Sequence, residues 1–175
     1  TMYGRFSLLG YNMNNQPYFG DLGGPPINGG APGVGSGNTY GLTLAGTYVF
    51  NPNFIVDANF GYTMFKTSVE QPLLDRKIGQ ELGIPGTNGP RRFEGGWPRF
   101  EVTNYTAVGI HTTWMPFSRR DPQYQYVANA NWIKGSHNVR FGMDLYRQHM
   151  NHLQVEFYGQ FQGAAGGFSF GGGPT

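Results

Sequence analysis

The stretch TYGLTLAGTYVFNPNFIVDANFGYTMFK, residues 39–66, decides how this chain folds. In its first half Tyr40, Leu42, Leu44, Gly46, Tyr48 and Phe50 alternate with Thr39, Gly41, Thr43, Ala45, Thr47 and Val49. Side chains two residues apart share one side of a strand, so one face is bulky and apolar and the other small or polar. Asn51-Pro52-Asn53 follows, a sequence that favours a tight turn. The second half repeats the design, with Phe54, Val56, Ala58, Phe60, Tyr62 and Met64 opposite Asp57, Asn59, Gly61 and Thr63. The spacing predicts a β-hairpin with a three-residue connection.

Working outward, the pattern recurs. Residues 123–133 carry Tyr124, Tyr126, Ala128, Ala130 and Trp132 against Gln123, Gln125, Asn129 and Asn131. The polar run Lys134-Gly135-Ser136-His137 is a second turn, followed by a strand over 138–149. There Val139, Phe141, Met143 and Leu145 oppose Asn138, Arg140, Gly142, Asp144 and Tyr146. Residues 153–161 alternate in the same way, with Glu156 on the polar side. Residues 3–13 are strand-like and less regular, with Phe6 and Leu8 against Arg5 and Ser7. Residues 105–115 suit either a further strand or a hairpin arm inside a loop, and 166–170 suit the start of a last strand. Two segments lack the pattern, 14–38 and 67–104. Both read as long loops, with a short helix expected within 71–83. Loops of this length in a compact domain are usually functional or disordered.

Composition narrows the class. Charged residues make up 13 % of the 175 residues and leave a formal net charge of only +2, so no basic surface for nucleic acid is expected. There are 29 glycines and 12 prolines, which alone would suggest disorder, but aromatics reach 16 % and sit in the alternating segments. The absence of cysteine excludes a disulfide framework, a thiolate metal site and a cysteine nucleophile. No apolar run approaches the roughly 18 residues of a membrane helix. Residues 1–20 do not read as a signal peptide, which needs a basic start, an apolar stretch and a small-residue cleavage site. An exported protein would then be represented by a processed chain or an internal fragment.

A soluble sandwich and a membrane barrel both alternate. Strand length separates them, since the segments above run to about 10–13 residues, a tilted membrane strand needs roughly 9–11, and soluble strands average about 5–6. Tyr48, Phe50 and Phe54 at one turn and Trp132 at the other suit an aromatic girdle at a membrane interface. Lipid offers no hydrogen-bond partners, so a spanning sheet must pair every strand and close. The reading is all-β: an antiparallel up-and-down β-barrel segment spanning 1–175, with short turns at one end and long extracellular loops at the other, in the bacterial outer membrane. The alternatives are a self-contained eight-strand membrane barrel and a soluble β-rich glycan-binding module or enzyme fragment.

Several stretches resemble one family. TYVFNPNFIVDANFGYTMFK (47–66), LGIPGTNG (82–89), DPQYQYVANANWIKGSHNVRFGMDLYRQHMN (121–151) and GGFSFGGGPT (166–175) occur in the order found in TonB-dependent outer-membrane receptors of the large type with a carboxypeptidase-regulatory-like N-terminal domain. The resemblance implies a receptor or transporter barrel for a bulky nutrient: a glycan, a peptide or a metal chelate. It also implies coupling to the TonB system through parts of a longer protein absent from this chain, such as the plug domain. A barrel of about 22 strands needs at least roughly 220 residues in strands alone, so an internal barrel fragment is expected. Its partners would be outer-membrane lipid and, through strand edges at 1–13 and 153–170, other strands or a second copy of itself.

Candidate site residues follow from position. Asp57, Asn59, Asp144 and Glu156 occupy polar faces and are expected to face the lumen. Arg91, Arg92, Phe93, Trp97, Arg119 and Arg120 bracket the longer loop and are candidates for ligand contact, the arginines for anionic groups and the aromatics for stacking on a sugar. The bland alternative for these is solvated charge and loop anchoring. No cofactor is implied. His149 and His152 have an odd separation, which places them on opposite faces of a strand and argues against a metal site. Asp144 with Glu156 would suit glycoside hydrolysis if about 5–10 Å apart, but lumen carboxylates without catalysis are common. No nucleophile elbow is present, and Gly33-Val34-Gly35-Ser36-Gly37 lacks the lysine and helix of a phosphate loop. The chain is therefore not expected to be an enzyme.

Overall fold

A computed structural model describes residues 1–110, 114–155 and 163–172. Eight strands are present among them: β1 Met2–Asn15, β2 Gly33–Asn51, β3 Phe54–Glu70, β4 Arg99–Val102, β5 Phe117–Lys134, β6 His137–Gln148, β7 His152–Gln154 and β8 Gly167–Phe170. One four-residue helix, α1 Ile78–Glu81, falls inside the segment where a short helix is expected. Six strands form one sheet in the order β1-β2-β3-β5-β6, with β7 also pairing β5, while β4 and β8 form a separate parallel pair.

The chain divides into two compact units. The first comprises 1–10, 37–66 and 119–151 and is the strand wall. Alternation sets its two faces. On one, Phe60 packs on Tyr126 at 5.1 Å between ring centroids and Tyr62 on Tyr124 at 5.1 Å. Ala130 and Ala128 stand opposite Phe141 and Met143 in the antiparallel β5–β6 register. Gly4 lies against Leu44 and Gly46 against Met2, which adds the even positions of β1 and β2 to the same apolar face. On the other face are Arg5, Ser7, Thr43, Asp57, Asn59, Thr63, Gln125, Asn129 and Asp144. The two turns lie at one end of the sheet, where Ile133 N–H donates to Asn53 O at 2.8 Å. The first turn is tighter than its sequence suggests: the strands stop at Asn51 and resume at Phe54, and Asn53 N–H donates to Asn51 Oδ1 at 2.9 Å.

Little of this wall is buried. Phe6, Leu8, Phe141, Met143 and Leu145 are each 55–67 % exposed, and Ala130 is the wall's one buried apolar side chain among the described residues. Backbone pairing rather than a dry interior holds the strands, and the apolar face is left for another medium.

The second unit comprises 11–36, 67–118 and 152–175 and has a small core of its own, in which Leu74, Ile78, Ile110, Met115, Val155, Ala164 and Ala165 are buried. Asn88, 2 % exposed, organises it. Its Nδ2 donates to Glu94 O at 2.9 Å and Gly96 O at 3.0 Å, and its Oδ1 accepts from Gly79 N–H at 2.7 Å. Its own backbone N–H reaches Ala165 O at 3.0 Å. Its φ of 49° lies in the left-handed region, which asparagine tolerates better than most residues. Gly95 sits so close to Leu74 O that any Cβ there would overlap it, which fixes glycine at that position.

Several expectations change. The loops are shorter than 14–38 and 67–104, because β1 runs to Asn15, β2 starts at Gly33 and β3 continues to Glu70. Backbone pairing carries these strands beyond the stretch where side chains alternate. Residues 105–110 form no barrel strand: Val108 and Phe100 exchange backbone bonds at 2.8 and 2.9 Å, which is the hairpin-arm alternative. Residues 167–170 start no further wall strand either and pair with β4. Among the described residues the second edge of the sheet is mainly β6, because the chain bends at 149–151 and returns to pair β5 again through the short β7, which shares that edge. Most of 153–161 lies outside the described residues.

Candidate ligand-facing surface

The polar face of the strand wall is held by bonds between carboxylates and amides. Asn129 on β5 donates from Nδ2 to Asp57 Oδ2 on β3 at 2.8 Å. Gln125 on β5 donates from Nε2 to both oxygens of Asp144 on β6, at 3.1 and 3.0 Å. In the register Gln125 stands opposite Tyr146, so its bond to Asp144 runs diagonally, within reach of a long side chain. Gly142 stands opposite Asn129, and a Cβ there would overlap Asn129 Oδ1; the bare backbone of Gly142 leaves Asn129 room to lean toward Asp57. Asn59 lines a groove with Arg5, Ser7, Thr43, Thr63 and Gln125, above the glycines 41 and 61. Three of the four residues expected on the polar side, Asp57, Asn59 and Asp144, thus share one face. Glu156 lies outside the described residues, so the Asp144–Glu156 pair does too.

The loop candidates are dispersed. Arg92 is fully engaged: its NH1 and NH2 donate to Glu70 Oε1 and Oε2, both at 2.8 Å, and its Nε to Asp75 Oδ1 at 2.7 Å. The Arg92 guanidinium holds the Glu70 carboxyl below its ordinary range, and the two acids hold Arg92 even more firmly protonated than usual. Arg91 is exposed, with its guanidinium 5.4 Å from the Phe93 ring centre. Trp97 is half-buried and lines a small cavity with Gln71, Pro72, Ile110 and Met115. In the strand unit Arg119 bonds the fully buried Asp121 and lies 5.5 Å from the Phe65 ring centre. Asp121 also accepts from Asn151 N–H at 3.1 Å, which pins the bend after β6. The Arg120 side chain is exposed, while its backbone exchanges bonds with Asn151. Arg92 and Arg119 are therefore committed to carboxylates of this chain; Arg91, in the loop, and Arg120, which like Arg119 lies within β5 and not in a loop as expected, each present a charge outward.

Among the described residues no three His, Asp or Glu side chains converge as metal ligands would. His149 lies near the Tyr124 ring at 6.3 Å and His152 near Phe117 at 5.0 Å, each against its own aromatic neighbour. Arg5 and Ser7 were legible as polar positions of β1, but nothing in the sequence marked them as part of a groove.

A two-faced antiparallel sheet with tight turns at one end and a loop unit of its own defines the class: an outer-membrane β-barrel wall. The whole chain, residues 1–175, matches the model of the outer membrane beta barrel domain family, and the protein belongs to that family. No curated protein and no solved structure matches the chain. The family places the chain in the bacterial outer membrane, in association with membrane lipid.

Proposed function

We propose that this chain is wall and ligand-facing loop of a TonB-dependent receptor that takes up a bulky nutrient, with the apolar face against lipid and the polar face lining the lumen. The observation that carries the reading is the separation of the faces. Phe60, Tyr62, Phe141 and Met143 lie on one side, while Asp57, Asn59 and Asp144 lie on the other, where amides already satisfy the two carboxylates. A wide barrel has a wet lumen, where such groups keep their hydration, whereas a lipid-facing carboxylate would be costly. The order of motifs along residues 47–175 supports the receptor type, and within the loop unit Arg91 with Phe93 supplies a contact for a glycan, peptide or metal chelate.

The open sheet supports a segment of a larger wall. Among the described residues β1 and β6 are edges with unpaired backbone groups, each costing several kcal/mol in hydrocarbon, so further strands or a second copy must complete them. An eight-strand self-contained barrel is disfavoured by the division of the strands into a six-stranded and a two-stranded sheet.

Spin labels on Phe141→Cys and Asp144→Cys in lipid vesicles test the orientation, and the cysteine-free sequence makes the labelling clean. Oxygen should broaden the label at 141, and a water-soluble nickel chelate the label at 144. Equal lipid exposure at both positions would refute the reading.

A further inference from the structure

The groove on the polar face spans β1, β2, β3 and β5 and encloses about 370 Å³, within the range of about 300–1,000 Å³ usual for small-ligand sites. Its floor is low because Gly41 and Gly61 carry no side chains. Its walls are Arg5, Ser7, Thr43, Asn59, Thr63 and Gln125. Arg5 is the one charged side chain among the described residues that line it. The two carboxylates nearby on this face are already bonded, Asp57 to Asn129 and Asp144 to Gln125. Among the described residues the Arg5 guanidinium has no hydrogen-bond or ion-pair partner. In this it differs from Arg76, Arg92 and Arg119, each of which holds an acid of its own.

An unpaired guanidinium at the edge of a hydroxyl- and amide-lined groove is suited to an oxyanion, because it offers a planar fork of donors that a carboxylate matches with two parallel bonds. The hydroxyls of Ser7, Thr43 and Thr63 and the amide of Asn59 then face whatever the anion is attached to, and each can donate or accept. We propose that this groove binds a small carboxylate-bearing solute, with Arg5 holding the carboxylate and Ser7, Thr43, Asn59 and Thr63 bonding its hydroxyls or amides. The inference rests on the lumenal reading of this face. An acidic sugar and the C-terminus of a short peptide share this chemistry.

Calorimetric titration of the detergent-solubilised chain separates the two sources. The probes are tri-galacturonate and acetyl-trialanine, each beside a neutral counterpart, maltotriose and acetyl-trialanine amide. At least one acid should bind about tenfold or more tighter than its neutral counterpart, the loss expected for one charge-assisted bond. Arg5→Gln should remove that difference and Arg5→Lys should keep part of it. Gly61→Leu should block the groove while leaving Arg5 in place, since a Cβ there meets only Gln125 Cβ at an ordinary 3.7 Å. Equal binding of acid and neutral probes, or an Arg5→Gln chain that binds like the wild type, would overturn the proposal. A label on Thr43→Cys keeps the two readings apart. Exposure to lipid there would sink the lumenal reading and this site with it, whereas exposure to water with no preference for the acids would sink the site alone.

Discussion

Asn129 on β5 donates its Nδ2 to Asp57 on β3 at 2.8 Å, while its Oδ1 lies on the other side against the bare backbone of Gly142 on β6. Three strands are thereby coordinated by one side chain. Replacing Asn129 with leucine should lower stability by about 1.5–3 kcal/mol, the usual range for a hydrogen bond to a charged group. Gly142→Ala should lose more, because a Cβ there would overlap the backbone Ala128 O as well as Asn129 Oδ1, and only the part that acts through Asn129 should fail to add. Urea unfolding in micelles, followed by tryptophan fluorescence, gives the comparison. Additive losses would show that Gly142 matters for another reason.

Leu145 and Tyr146 are neighbours on β6 and point to opposite faces, opposite Tyr126 and Gln125 respectively. An arginine on the lipid side of a barrel costs about 2–4 kcal/mol near the midplane, while lumen positions tolerate charge. Leu145→Arg should therefore impair insertion into vesicles, and Tyr146→Arg should insert nearly as well as the wild type. Both variants inserting alike would contradict the assignment of the faces.

In the loop unit, Asn88→Ala removes both donors of the amide and its one acceptor at once. The Gly79 N–H and the carbonyls of Glu94 and Gly96 would lose partners inside a buried cluster, a cost of about 3 kcal/mol. Protease should then cut within 78–98 far faster than in the wild type, with the strand wall spared. Unchanged cleavage would mean that Asn88 does not hold the loop.

The Glu70–Arg92–Asp75 cluster predicts an acid-sensitive loop. Glu70 is lowered from its ordinary 4.5 by the Arg92 hydrogen bonds, so it binds protons more readily when unfolded than when folded. Its contribution is present above that ordinary value and is lost as pH falls through the depressed one. The pair is more than a third exposed, so solvent screening keeps the effect small. Hydrogen-exchange protection in 71–98, measured relative to the intrinsic rate at each pH, should fall on acidification below 4.5, and Arg92→Ala should flatten that dependence. A pH profile identical in the two proteins would remove the cluster as its cause.

The faces of the wall were legible from the sequence because a strand writes its orientation directly into alternate residues. Residues 39–66 alone assign Phe60 and Asp57 to opposite sides. Strand extent was less legible. Gly33–Asn38 joins β2 and Phe117–Pro122 joins β5 through backbone pairing, in which even Pro122 takes part as an acceptor, so side-chain pattern carries no sign of it. Arg92 looked like a free loop cation because its partners Glu70 and Asp75 are set by the loop's path and not by local spacing. The groove beside Arg5 leaves no sign in the sequence for a related reason, since it exists only once four strands are side by side. The bend at 149–151 moved the free edge to β6, and its anchor, the buried Asp121, is contributed by a residue thirty positions earlier.

The parallel pairing of β4 with β8 has a consequence in time. Arg99–Val102 finds its strand partner in Gly167–Phe170, beyond the local bridge from Phe100 to Val108, and the whole β5–β6 hairpin lies between them in the chain. During synthesis and delivery to the membrane the first half of this pair must therefore wait, held only by the bridge to Val108, while the hairpin behind it is made. Closing so long a span is among the slow steps of assembly. The loop unit is thus finished last, after its neighbouring strands have passed, and a chain halted before residue 167 would carry a wall-forming hairpin but an unfinished loop.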